Sequence, residues 1–179
     1  MFSKIALAVL ATSLLSSASF ASDLHYKEGF IQAQTEILGD SNIAPKSSNI
    51  LTKLSIDTTP ESLKGDISLE LLSLKSENEK RDEHMYEALH AKEHPSTNFK
   101  IKEVKKEVDG YHLVGVLSLN KQTKEIDTKA DIIEQDNLLK LKGGFSIKMS
   151  DFGIEPPTLL FLSVRDEVVI SYDLALAKN

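Results

Sequence analysis

The sequence contains no cysteine. Disulfide staples, thiol redox chemistry, cysteine nucleophiles and cysteine-ligated metals are therefore excluded. Stability must come from side-chain packing and sheet hydrogen bonds. Long apolar runs are almost absent as well. The longest, Ile5 to Leu15, is interrupted by Thr12 and Ser13 and is too short for a bilayer span, which takes about 20 apolar residues. No linker, repeat or low-complexity tract divides the chain. Nor is there a surplus of positive charge. Against 21 Lys and Arg stand 27 Asp and Glu, a formal net charge of −6. An acidic surface repels phosphate backbones, so a nucleic-acid partner is not expected.

The first residues carry a different message. Lys4 supplies a positive charge, the apolar run follows, and Ser16 to Ala21 is small and polar. Ser19 and Ala21 put small residues at the third and first positions before a cut after Ala21. This is the layout of a secretory signal peptide. Residues 1–21 are expected to be cleaved, leaving residues 22–179 as one domain in the periplasm. No cysteine follows the run, so a lipid anchor is not expected.

What is abundant is alternation. Ile126, Thr128, Ala130 and Ile132 lie on one face of a segment whose other face carries Glu125, Asp127, Lys129 and Asp131. Period two is the mark of a strand with one buried face. Leu139, Leu141, Gly143, Phe145, Ile147 and Met149 repeat it after a polar turn at residues 134–137, so the two predict a hairpin. Val168, Ile170, Tyr172, Leu174 and Leu176 form a final strand, and Tyr111 to Leu119 another after the turn at Asp109-Gly110. Phe99 to Val108 is strand-like and lysine-rich, as edge strands often are. Gly29 to Leu38, Ile50 to Ile56 and Ile67 to Leu74 complete eight segments. In the last of these, adjacent Leu71 and Leu72 break the phase and suggest a β-bulge.

One segment departs from the pattern. Glu77 to Lys92 carries Met85, Ala88 and Leu89 at helical spacing, and Pro95 lies just beyond it. The expected fold is all-β: an eight-stranded antiparallel barrel with one helix packed over it. Eight strands leave room for side chains or for one small ligand. The inward set is Leu54, Ile56, Leu69, Leu113, Leu117, Ile126, Ala130 and Ile132, with Leu139, Leu141, Phe145, Ile147, Ile170, Tyr172 and Leu174. Nearly all are apolar. By pattern alone they either pack solid or line a hollow for an alkyl or prenyl chain.

Certain words in the chain are more specific. Arg81-Asp82-Glu83-His84-Met85 opens the helix, and Lys92-Glu93-His94-Pro95-Ser96-Thr97-Asn98-Phe99 follows it. Then come Gly110-Tyr111-His112-Leu113, Lys121-Gln122-Thr123-Lys124, Asp151-Phe152-Gly153 and Asp166-Glu167-Val168. In this order and spacing, from about Ser68 to Ala177, the chain resembles the YceI-like family of exported bacterial proteins. It departs from the family's usual first strands at residues 29–36. The resemblance implies an extended, lipocalin-like barrel that holds a long amphiphile such as a polyisoprenoid or an isoprenoid quinone. It also favours a hollow over a packed core.

Other chemistry has weak support. His84, His90 and His94 lie among glutamates, but their spacing is poor for one metal, so none is expected. Asp82 is placed at the barrel rim, with Asp151 or Asp166 as candidate partners for Arg81. Asp151-Phe152-Gly153 lacks every companion of the kinase motif and reads as a strand ending in a tight turn. No nucleophile elbow or paired-carboxylate site is visible, so the chain is not expected to be an enzyme and no cofactor beyond a bound lipid is expected. An enzyme acting on such a lipid would need Tyr172, His112 or Asp173 to converge at the cavity. A stress-protective structural domain would have a filled core. The apolar Leu159–Leu162 stretch either gates the mouth or packs on the helix. It and the Phe99 strand are the surfaces on which a homodimer could form.

Overall fold

The computed structural model describes residues 21–37, 40–159 and 162–178. The expected signal peptide, apart from Ala21, lies outside the described residues. Alternating segments become strands because extended backbone sends successive side chains to opposite faces. In chain order they are β1 (Ser22–Ile37), β2 (Asp40–Ile43), β3 (Lys46–Ser47), β4 (Ile50–Ile56), β5 (Lys64–Glu70) and β6 (Ser96–Glu107). There follow β7 (Gly110–Leu119), β8 (Gln122–Gln135), β9 (Leu138–Lys148), β10 (Thr158–Leu159), β11 (Leu162–Ser163) and β12 (Glu167–Lys178). The helix α1 spans Glu79–Ala88.

Eight of these strands make the barrel, in the order β12-β9-β8-β7-β6-β5-β4-β1, and β1 pairs with β12 to close it. The pairings around the ring are antiparallel. The N-terminal segment that departs from the family pattern is thus the one that completes the circle. Closure removes most of the edge problem that an open sheet would face. It also corrects the edge assignment of the lysine-rich strand: β6 is paired on both sides, with β5 and β7. Its lysines simply occupy the outward face.

Two further expectations are adjusted. The Leu71–Leu72 phase break is not a bulge. β5 ends at Glu70, and Leu71–Ser73 form one 3-10 turn that buries Leu71 and exposes Leu72. The helix is shorter than residues 77–92. Asn78 caps it by accepting a hydrogen bond from the Arg81 N–H at 3.0 Å, and His90, at φ 51°, stops it. Asp82 is buried and accepts from the Ser76 N–H at 2.9 Å and the Ser76 hydroxyl at 2.7 Å. The Tyr86 hydroxyl donates to the Leu74 carbonyl at 2.6 Å. These bonds pin the helix to the loop that leads into it. Asp151 pairs with Lys124, and Asp166 accepts from Ser150, so the acids proposed for Arg81 serve other partners.

The core is unevenly distributed along the barrel. At one end Leu24, Leu54, Ile56, Leu63, Leu139, Leu141 and Leu176 are almost wholly buried. The register explains their meeting: Leu141 faces Leu174 and Ile132, while Leu24 faces Leu54. Large aliphatic side chains from opposing walls fill that half. In the other half glycine makes room for aromatic rings. A Cβ at Gly115 would lie 2.4 Å from the Phe99 ring, and one at Gly143 would lie 2.4 Å from the Tyr172 hydroxyl. Both aromatic rings lie where a side chain would otherwise stand.

Candidate functional site

Beyond the packed half, the barrel is hollow. The cavity has a volume of about 960 Å³. Its mouth is framed by the end of β1, the 71–78 loop, one face of α1 and residues 154–158. Leu69, Leu113, Leu117, Phe145, Ile147, Ile170, Tyr172 and Leu174 line it, as eight of the fifteen inward residues. Leu54, Ile56, Ala130, Ile132, Leu139 and Leu141 do not line it. They are the packed half, with Leu139 and Leu141 fully buried. Ile126 is half-buried and borders a second, smaller pocket. Alternation places all fifteen on the inner face, but only the opposing wall determines whether the space before a side chain is filled.

Several wall residues escape the alternating pattern. Met85 and Ala88 come from the helix and Leu89 from its C-cap, Leu71 and Leu74 from the segment before it, and Pro156 and Pro157 from the loop after β9. Their signal was available as apolar residues in segments without period two. Phe99 of β6 and Phe145 of β9 stack across the interior with ring centroids 6.1 Å apart. The wall is therefore mostly aliphatic and aromatic; the buried Asp82 that also lines it is held by Ser76, and the other charged lining groups stand at the rim. Lys80, Arg81, His84 and Glu87 of α1, with Glu155, mix both signs there.

The apolar 156–164 stretch borders the mouth. Its β10–β11 hairpin is held by a 3.1 Å contact between the Thr158 and Ser163 hydroxyls, and the Val164 N–H donates to the Pro157 carbonyl at 2.9 Å. Val164 bridges to Ile37 of β1. Leu160 and Phe161 lie outside the described residues. Asp151-Phe152-Gly153 ends in the expected turn, with Gly153 left-handed at φ 66° and Phe152 buried, but the strand before it stops at Lys148 and Met149–Phe152 form a 3-10 turn.

Polar groups inside are few. The Thr128 hydroxyl donates to the Gly144 carbonyl at 2.6 Å. The Tyr172 hydroxyl is buried and has no hydrogen-bond partner among the described residues. Burial pushes the phenol well above its ordinary range, so it stays protonated. Tyr172, His112 and Asp173 are not brought together. Asp173 faces outward and pairs with Lys142 at 3.6 Å. His112 is on the outside of the β6–β7 hairpin.

There His112 sits among carboxylates. Its Nδ1 donates to Asp127 at 3.1 Å, and its Nε2 lies 3.9 Å from Glu107 and 3.7 Å from Asp109. Among the described residues, Glu107, Asp109 and His112 form the group with metal-ligand spacing, whereas His84, His90 and His94 do not converge. Lys129, 3.0 Å from Asp109, already supplies a cation to the cluster. The hydrogen bond to Asp127, with the charges of Glu107 and Asp109, raises the His112 pKa above its ordinary 6.5. A group raised on folding contributes stability that is complete below the unfolded value and is lost as pH rises through the folded one. An NMR titration of the wild type is expected to place the His112 midpoint above 6.5, and Asp127→Asn to lower it. A midpoint unmoved by the substitution would show that the bond is not populated.

A closed antiparallel barrel with a single-ended apolar interior defines the lipocalin-like class of β-barrels. Within that class, the chain belongs to the YceI-like domain family, whose pattern it matches over residues 23–176. A UPF0312 protein of Pectobacterium atrosepticum is 31% identical over 169 residues, covering 86% of this chain and 88% of that one. BcnA of Burkholderia cenocepacia shares the fold, with a TM-score of 0.72 at 14% identity over 82% of this chain and 95% of its own. A polyisoprenoid binding domain from Saccharophagus degradans, implicated in plant cell wall breakdown, has a TM-score of 0.64 at 12% identity. That comparison covers 88% of this chain and 98% of the other.

Proposed function

We propose that this protein is a periplasmic carrier that holds a long apolar amphiphile, of the polyisoprenoid or isoprenoid-quinone type, inside the barrel, and that it is not an enzyme. The observation that carries this reading is the hollow itself: about 960 Å³ of space bounded mostly by aliphatic and aromatic side chains, with the buried Asp82 satisfied by Ser76 and the other charged groups at the rim. Such a wall recognises a chain by area and not by hydrogen bonds. Each buried CH₂ contributes roughly 0.8 kcal/mol before ordering costs. The binding activity of the Saccharophagus degradans domain agrees with it. The signal-like residues 1–21 support the location.

Native mass spectrometry of the protein purified gently from the periplasmic fraction tests both parts. A lipid adduct with prenyl mass spacing is expected, on a chain that begins at Ser22. A chain without adduct, which also fails to take up added prenol, would overturn the carrier reading. Recovery of the protein only in the cytoplasm, with Met1 retained, would overturn the location.

A further inference from the structure

Strands β8 and β9 are paired from Ala130–Gly143 to Gln135–Leu138, and no further. Beyond that point each keeps its other neighbour. β8 stays paired with β7 as far as Leu119–Gln122, and β9 with β12 as far as Glu167–Lys148. Residues 122–129 and 144–148 therefore run on without a ladder between them. Side chains tie the two sides together at the ends of this seam. The Thr128 hydroxyl reaches the Gly144 carbonyl at 2.6 Å, and the Lys124 ammonium lies 3.4 Å from Asp151.

The seam leaves a mark on burial. Continued register would set Ile126 opposite Ile147. Both face inward and both are only half-buried, whereas Leu139 and Leu141, inward where the strands are paired, are fully buried. A pocket of about 470 Å³ occupies the gap, and Ile147 borders this pocket as well as the main cavity. Its inner edge is apolar, while Lys124, Lys148 and Glu167 stand at its outer rim.

We propose that the β8–β9 seam is a side portal through which the tail of a linear apolar chain leaves the barrel when the chain is longer than the cavity. The inference rests on the carrier reading and adds a path to it. The far end of the barrel is closed by packed leucines, so a long chain has no axial way out there. A slot floored by two isoleucines and tied at both ends suits a single prenyl or alkyl chain.

The absence of cysteine makes the test clean. In the double variant Glu125→Cys, Ser146→Cys, at two positions that line the slot from β8 and from β9, the thiols are joined by a short bis-maleimide, which closes the seam between its two ties in folded protein. Retention of farnesol and of solanesol, presented in detergent micelles, is measured before and after closure. Closure is expected to weaken solanesol retention at least tenfold and to change farnesol retention less than twofold. Unchanged solanesol retention would overturn the portal. Failure of both prenols to bind the open protein would instead overturn the carrier reading, and is a separate result. Ser146→Trp, which fills the slot from outside, is expected to reproduce the discrimination without a cross-link. Thermal melting establishes that it folds, and equal loss of both prenols in the folded variant would count against the portal.

Discussion

Ile170→Glu is expected to reduce prenol retention at least hundredfold while the protein still folds. Ile170 lines the cavity wall on β12, opposite Phe145 in the register. A carboxylate there can stay hydrated in the unliganded barrel, because the space before it is open. An apolar chain entering the cavity would strip that water and leave an unpaired charge against hydrocarbon, which is strongly unfavourable. A hundredfold loss corresponds to about 2.7 kcal/mol, a modest share of that penalty. Titration with a fluorescent prenol analogue, alongside circular dichroism, checks both halves of the statement. Retention within threefold of wild type would show that the ligand does not occupy this cavity. Loss of folding would show that the wall around Ile170 is packed, not open.

Leu141→Ala is expected to have the opposite signature, a large loss of stability with little direct effect on the binding surface. Leu141 is fully buried in the packed half, between Leu174 of β12 and Ile132 of β8. Removing its side chain forfeits transfer energy and leaves a void that the paired strands cannot collapse. Buried Leu→Ala changes cost about 2–5 kcal/mol, and this site belongs in the upper part of that range. For a domain of this size the melting temperature should fall by roughly 2–4 °C per kcal/mol. Chemical denaturation, with the slope compared between variants, measures it. A cost below about 1 kcal/mol would show that this half is loosely filled and that the barrel is hollow throughout. The two substitutions thus test opposite ends of one interior.

The contrast between Ile170 and Leu141 also shows how far the sequence reaches. Both lie on the inward phase of an alternating strand, and nothing in their local pattern separates them. Alternation reports which face of a strand is buried, because the backbone period is two. It carries no information on what stands across the barrel. The helix was legible from Met85, Ala88 and Leu89, yet its contribution to the mouth was not, since that depends on how it docks. Docking is set by Asp82 on Ser76 and Tyr86 on Leu74, contacts no spacing rule encodes. The lysines of β6 suggest an edge by pattern, yet in a closed ring a strand paired on both sides still turns one face to solvent and can carry charge there.

From the sequence alone follow the eight barrel strands, their inward faces, a helix between β5 and β6 and the absence of any covalent staple, since each depends on residue type and short-range periodicity; the start of β1 at Ser22 and the short strands β2, β3, β10 and β11 do not. The tertiary structure decided the rest: that β1 meets β12, that one half of the interior is packed and the other hollow, and that β8 and β9 part near the rim. These depend on register and on side chains meeting from distant strands. Volume left empty is a property of the whole ring, and no single segment contains it.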